Sequence, residues 1–425
     1  MSNRTPRTAE TPDRAHTSPW VRRTRHGTTP PSARSTGASG RRDLVASVDA
    51  LVPLVRRRAD DIQVRRRLPD DVERGLRAAG VNRMVLPASL GGLETPTLEA
   101  VDVIERLSAA DGSTGWCAII GGGSNIFAGY LPPEGAAEVF ADPDRSSATM
   151  FAPLGTLDEA ADGTLRLEGR WPFVSNCLHA EWIGLGAVLR RDGNADPVPR
   201  LAFVRARDLE IEDTWDVVGL RGTGSHHVAA VNLAVDPRHC CEFVGEPWPD
   251  TPLFRMPVFS VILPMLAAVP LGIARGALEE LGRQVREGRA GVRRGDLAGD
   301  PLAMHDLADA ELRLEGARAG LRHLVDTAHD RVSRGDTLDA PFLARIYLAN
   351  LHAVDTAVDV TAVAHRLGGG SAAYADSRLL RALDDVLAAR QHYQFAHDHR
   401  APLGRVLTGV SDSYPPYITA PKASA

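Results

Sequence analysis

Four side chains with chemical potential gather in the run Gly169-Arg-Trp-Pro-Phe-Val-Ser-Asn-Cys-Leu-His179: Trp171, Phe173, Ser175 and Asn176. Large flat surfaces beside short hydrogen-bonding groups suit a flat heteroaromatic ligand with polar edges. A second run, Trp215-Asp-Val-Val-Gly-Leu-Arg-Gly-Thr-Gly-Ser-His-His227, offers the Thr223 and Ser225 hydroxyls and backbone amides on a glycine turn. A third, Gly368-Gly369-Gly370-Ser371, has two readings: a helix C-cap, or close backbone approach to a phosphate. His392 also has two, a capping or surface residue, or an acid–base group.

Other chemistries find no support. Gly222-Thr-Gly224 begins like a dinucleotide fingerprint, but His227 stands where its third glycine belongs. Gly368-Gly-Gly370 does not complete one either and no P-loop occurs, so a direct nicotinamide site is not expected; nor is there a nucleophile elbow for a catalytic serine. His392, His397 and His399 match no zinc spacing, and no metal is expected. A net charge of −5 without a basic stripe gives no case for nucleic acid. The four cysteines lack disulfide or metal spacing, and the N-terminus lacks an apolar signal core. Both features suggest a cytoplasmic protein. The apolar run Met256–Ala274 is near membrane-spanning length, but Pro264 and Pro270 inside it favour a buried core helix, with no membrane.

The elements that must position these residues follow from periodicity. Residues 1–42 are rich in Arg, Ser, Thr and Pro and read as a disordered basic tail. Residues 43–145 read as an N-terminal helical domain. Leu44, Val48, Leu51, Val52 and Val55 recur at helical spacing, Pro69 opens a second helix and Gly80 closes it. Met84–Leu93 reads as a short extended piece with a glycine turn. Residues 146–250 switch to short alternating runs, expected as a middle β-barrel or sandwich domain. Residues 251–405 return to long amphipathic stretches, a C-terminal four-helix bundle. Residues 406–425 read as a loosely held tail. The fold class is therefore α+β and multidomain.

This order of parts resembles the acyl-CoA dehydrogenase fold over about residues 43–400. The resemblance implies that Trp171, Phe173, Val174, Ser175 and Asn176 lie along a flavin, with Thr223 and Ser225 beside it. It also implies that Gly368, Gly369 and Gly370 approach the flavin pyrophosphate, commonly from a neighbouring subunit of a homotetramer or dimer. A dehydrogenase needs a carboxylate base. The comparable positions hold Tyr374-Ala-Asp-Ser and the uncharged Val258–Val269, and no glutamate follows Glu315.

The chain is more similar to the oxygenase components of two-component flavin monooxygenases, which share the fold. Arg170-Trp-Pro-Phe-Val-Ser-Asn-Cys-Leu-His-Ala-Glu-Trp182 follows their R-W-x-F-x-S-G-C-x-H-A-x-W run, with Asn176 for glycine. Gly219-Leu-Arg-Gly-Thr-Gly-Ser225 matches G-x-R-G-T-G-S. Leu379–His392 matches their last bundle helix, with Asp384 for arginine. The resemblance implies that a separate flavin reductase supplies FMNH2 or FADH2, which reacts with O2 to form a C4a-hydroperoxyflavin in a dry pocket. Ser175 would bond near flavin N5, and His392 would support the peroxide or activate an aromatic or polyketide-type substrate. Trp116, Ser124, Asn125 and His392 would face that substrate. Small residues at Gly121–Gly123 suggest a large substrate, and N- or S-oxygenation is an alternative. Two rivals are a dehydrogenase with an atypical base and a non-catalytic interaction module. The first would bleach its flavin with an acyl thioester; the second would bind no flavin.

Overall fold

The structure, a computed structural model, describes residues 37–160, 163–288 and 297–418. The expected tail lies outside the described residues as far as Thr36. Helix α1 (Gly37–Arg65) begins before Asp43 and buries Leu44, Val48, Leu51, Val55 and Ile62 along one stripe. Helix α2 (Asp70–Ala78) carries Asp70, Asp71 and Glu73 in its first turn, where the helix dipole favours them, and Gly80 closes it at φ 81°.

The extended piece expected near Met84 is instead a pair of 3-10 turns, Val81–Arg83 and Ala88–Leu90. Left-handed Gly80 and Gly91 bound the segment, and its amides bond locally, Met84 N–H to Val81 and Leu86 N–H to Arg83. Helices α3 (Thr97–Ala110) and α4 (Gly112–Ala118) meet at Asp111, whose Oδ1 caps α4 by accepting from the Thr114 amide at 2.7 Å. A π turn at Ile119–Gly123, a 3-10 turn at Ser124–Gly129 and helix α5 (Pro133–Val139) complete the N-terminal part.

The middle part is a sheet of eight strands: β1 (Ser147–Glu159), β2 (Leu165–Val174), β3 (Trp182–Arg191), β4 (Asn194–Ala195), β5 (Arg200–Arg205), β6 (Glu210–Glu212), β7 (His226–Val235) and β8 (Cys240–Glu242). The order is β6-β7-β2-β1-β3-β5-β8, with β4 hairpinned onto β3. Among the described residues only β1 and β3 run parallel, and their register breaks between Met150 and Gly155. Alternation along β2 turns Leu165, Leu167, Trp171 and Val174 into the sheet's own core.

Helices α6 (Pro252–Arg255), α7 (Val258–Arg286), α8 (Pro301–Ser333), α9 (Ala340–Leu367), α10 (Arg378–Arg390) and α11 (Arg400–Leu407) follow. The apolar window of α7 is 94% buried within the protein, so α7 is a core helix despite its spanning length. It packs against α3 as well as α9 and α10. The N-terminal helices and the bundle thus share one hydrophobic core, and the sheet holds a second.

The chain after Leu407 is not loosely held as far as Ile418. Tyr417 is buried and meets Phe259 and Tyr347 edge-on, at 4.9 and 5.0 Å between ring centres. The Tyr414 hydroxyl lies 2.6 Å from His399 Nδ1. Aromatic area anchors this segment in a way that aliphatic periodicity does not reveal. Residues 419–425 lie outside the described part.

Candidate active site

Two loops meet where β2 leaves the sheet. Phe173 (φ 61°) and Asn176 (φ 64°) on the first, and Leu220 (φ 51°) on the second, are left-handed without being glycine. Each such residue costs on the order of 1–3 kcal/mol and persists only where its surroundings over-determine it. Here they do. The Asn176 amide donates to Thr223 O at 2.9 Å, and its side-chain Nδ2 donates to Ser146 Oγ at 2.6 Å. The Leu220 amide donates to Asp385 Oδ1 at 2.6 Å, and Trp215 Nε1 donates to Leu220 O at 3.0 Å. Gly222 N–H donates to Ser113 Oγ at 3.1 Å, fastening the second loop to α4.

A line of buried hydroxyls runs across this junction. Trp116 Nε1 donates to Ser175 Oγ at 3.0 Å. Ser175 Oγ lies 2.7 Å from Ser225 Oγ, and Ser225 Oγ lies 2.6 Å from Thr223 Oγ1. Thr223 Oγ1 donates to Leu220 O at 2.8 Å. On the other side of Trp116 stands His392, its ring edge-on at 5.5 Å. Apolar surroundings at Trp116 and Phe395 push its pKa down to about 4 by desolvation. The imidazole is therefore neutral at physiological pH. Its Nδ1 accepts from the Gln394 amide at 3.3 Å, which puts the proton on Nε2. His392 is both a cap of the turn after α10 and a fixed-tautomer neighbour of Trp116.

Residues 264–397 match a family profile described as acyl-CoA dehydrogenase, C-terminal domain. The chain is 36% identical to indole-3-acetate monooxygenase of Pseudomonas putida over 349 residues, covering 81% of this chain and 88% of that one. It is 33% identical to the oxygenase component of an FADH2-dependent resorcinol hydroxylase from a Rhizobium species, over 69% of this chain and 74% of that one. The chain belongs to the oxygenase components of the flavin-dependent monooxygenases. The structure of XiaF from a Streptomyces species, solved with FADH2 and glycerol, superposes with a TM-score of 0.83 at 26% identity. That match covers 90% of this chain and 98% of XiaF.

As a member of that family the protein is an oxidoreductase that works with flavin and dioxygen. Several residues expected at its site have other places. Trp171 is fully buried inside the sheet, with Nε1 donating to Gly186 O at 2.7 Å and its ring filling the space a side chain would need at Gly155 and Gly169. No face of it is free for a ligand. Val174 is likewise enclosed, paired with His226 in the β2–β7 ladder. Asn176 uses its side chain on Ser146 and Ser147, and its place in the family's glycine position is explained by φ 64°, which asparagine tolerates better than other side chains. Phe173 is the ring that remains exposed, edge-on to Trp215 at 6.3 Å.

The oxygenase gains no room from its glycine run. A Cβ on Gly121 would lie 2.4 Å from Ser146 Oγ, and one on Gly122 would lie 2.4 Å from Val81 O. These glycines permit close packing of the π turn rather than a wider pocket. Ser124 bonds Thr149 Oγ1 at 2.7 Å. Asn125 donates to Asn82 O at 2.7 Å and accepts from Ser147 Oγ at 2.6 Å. Both polar groups are engaged in joining the turn to β1. Gly368 packs on Leu379 of α10, while Gly370 has open space around it. No hydrogen bond among the described residues joins this glycine corner to Ser175.

Asp385 was not expected. A helical wheel of α10 sets it beside Ala389 on the buried stripe, and an acid at such a position is the signal that reveals it. Burial, and then Asp111 nearby, raise its pKa to about 8. Asp385 lines a cavity of about 610 Å³ between α1, α7 and α10. That cavity holds none of the expected site residues. Arginines on its wall are largely paired, Arg56 with Glu279 and Arg381 with Asp60. The three histidines near the C-terminus do not converge, because His399 is engaged by Tyr414 and by Tyr393 O at 2.8 Å.

Proposed function

We propose that this oxygenase component takes reduced FMN or FAD from a separate reductase and hydroxylates an aromatic small molecule with dioxygen. The observation that carries the proposal is the convergence of Ser175 and His392 on the two sides of Trp116. The junction fits a reduced flavin. Ser175 Oγ keeps one hydrogen-bonding position unused, and Phe173 supplies an exposed aromatic surface at the rim. Bound there, reduced flavin supplies the two electrons that let one atom of O2 enter the substrate while the other leaves as water.

The chain's own residues do the rest. Ser175 orients the polar edge of the ring by accepting from it, and Trp116 holds Ser175 in place. His392, neutral and with its proton on Nε2, donates toward the substrate side and withdraws or returns a proton at the hydroxylated ring. Buried Trp116 keeps water away on its side of the reacting atoms, and half-buried His392 stands at the edge of that apolar patch. The names of the relatives, which act on indole-3-acetate and resorcinol, support an aromatic substrate. The packed glycine run lends no support to an enlarged one. The open side of Gly370 supports a contact with a ligand held by a second copy in a dimer or tetramer. Unpaired Cys117, Cys177, Cys240 and Cys241 support a reducing, cytoplasmic location.

The test is to mix the protein anaerobically with reduced FMN or FAD, admit isotopically labelled dioxygen with candidate phenols and indoles, and follow label into product. The proposal expects label in product and loss of coupling in Ser175→Ala and His392→Ala. Unchanged coupled product formation in both variants would remove their assigned roles.

A further inference from the structure

The hydroxyl line has a direction, and the direction decides what Ser175 can bind. A hydroxyl carries one proton to donate and two lone pairs to accept. Leu220 O is a carbonyl and can only accept, so the Thr223 proton points to it. Thr223 therefore has no proton left for Ser225, and Ser225 donates to Thr223 across 2.6 Å. Ser225 is then committed, so Ser175 donates to Ser225 across 2.7 Å. The indole of Trp116 can only donate, and it takes one lone pair of Ser175. What remains on Ser175 is one lone pair and no proton. The hydroxyl that donates becomes a stronger acceptor in turn, so the sense of the line reinforces itself.

Ser175, Ser225 and Thr223 are 7%, 3% and 2% exposed, which leaves little water to offer Ser225 or Thr223 a different partner. The anchor is equally constrained. Leu220 O also accepts from Trp215 Nε1, and the Leu220 amide is held by Asp385.

We propose that Thr223 and Ser225 are positioning residues that make Ser175 an acceptor only, so that the site selects the reduced flavin, which presents an N–H at N5, over the oxidised flavin, which presents a bare nitrogen there. This rests on the flavin reading given above. Neither residue needs to touch the cofactor; both act through the orientation of the Ser175 proton. Selection of this kind lets the oxygenase take reduced flavin and release the oxidised form after turnover.

The test measures dissociation constants of reduced and oxidised FMN and FAD, the reduced forms under anaerobic conditions, for the full chain and three variants. Thr223→Val keeps the shape and removes the proton that sets the direction. Ser225→Ala removes the acceptor of the Ser175 proton, which frees that proton to meet a bare nitrogen. Thr223→Ser restores the line. The wild type is expected to favour reduced flavin, and the ratio of the two constants to shrink roughly threefold to tenfold in Thr223→Val and Ser225→Ala. It is expected to return in Thr223→Ser. A general loosening of the loops would weaken both constants together and leave the ratio unmoved, and that result in either folded variant overturns the proposal. Failure of the wild type to bind either form overturns the flavin reading itself, and the proposal with it.

Discussion

The Trp116 indole N–H lies 3.0 Å from Ser175 Oγ, so a residue of the N-terminal helices fixes the hydroxyl at the end of a sheet strand. The same indole meets His392 edge-on at 5.5 Å. One side chain thereby sets the spacing between the Ser175 hydroxyl and an imidazole that arrives from the far end of the bundle. Replacing it with phenylalanine keeps an aromatic ring, removes the donor and leaves a gap where the larger indole packed. Trp116→Phe is expected to lose about 1 kcal/mol of stability and to divert more of the oxygen consumed into hydrogen peroxide. Peroxide and product assayed together with denaturant melts check both halves.

His392 stays neutral across the physiological range because its pKa is pushed down to about 4. Its ring carbon protons are expected to show no shift by NMR between pH 6 and 8, with a midpoint near 4. The unfolded value lies higher, so this group subtracts stability as pH falls below about 6.5 and approaches 4. Product formation should therefore show no acid limb near 6.5 from this residue. His392→Ala is expected to lower coupled turnover about 10²-fold, in the range of a lost general acid–base group. An NMR midpoint near 6.5 would refute the desolvated, neutral imidazole.

Asp385 is expected to be the pH-sensitive clamp of the second loop. Its folded pKa, about 8, lies above the unfolded value near 3.9, so the folded state holds the extra proton between them. Stability from this group is fully present below the unfolded value and is lost as pH rises toward 8. Asp385→Asn keeps an oxygen for the Leu220 amide and cannot ionise. It should fold normally and flatten the decline of melting temperature over that window, whereas Asp385→Ala should destabilise at every pH. Parallel slopes for wild type and Asp385→Asn would contradict the assignment.

Trp171 separates a core role from a ligand role. Its enclosure in the sheet predicts a loss of about 3–5 kcal/mol for Trp171→Ala, the range for deleting a buried large aromatic. Trp171→Phe should lose less and bind reduced flavin as the wild type does. Urea unfolding and anaerobic flavin titration of the two variants give the answer, and a selective loss of flavin affinity in a stable Trp171→Phe would return the indole to the ligand.

Asn176 tests the turn. Asn176→Gly removes two side-chain hydrogen bonds and keeps the backbone free to sit at φ 64°, so a loss of about 1 kcal/mol is expected. Asn176→Val loses the same bonds and adds the left-handed penalty of a β-branched residue, about 1–2 kcal/mol more. Equal stability of the two variants, by denaturant midpoint, would show that the turn does not hold its geometry in solution.

The sequence by itself determined the succession of helices, strands and helices, because period 3.6 and period 2 are written in the order of apolar residues. It also marked Ser175, as a hydroxyl beside aromatic residues, and Thr223 and Ser225, as hydroxyls on a glycine turn, while His392 gained a site role only through the family resemblance. Strands β4 and β8, of two and three residues, carry too few alternations to be read. The tertiary structure alone decided which aromatic stays exposed. Trp171 and Phe173 lie two apart on a strand and look equivalent, but the left-handed turn at Phe173 throws its ring outward while the pleat buries Trp171. It also decided that the space beside Gly121 and Gly122 is filled by Ser146 and Val81. Partners so far apart in the chain leave no local trace. The direction of the hydroxyl line belongs to the fold for the same reason: it is set by a carbonyl at Leu220, and every residue has one.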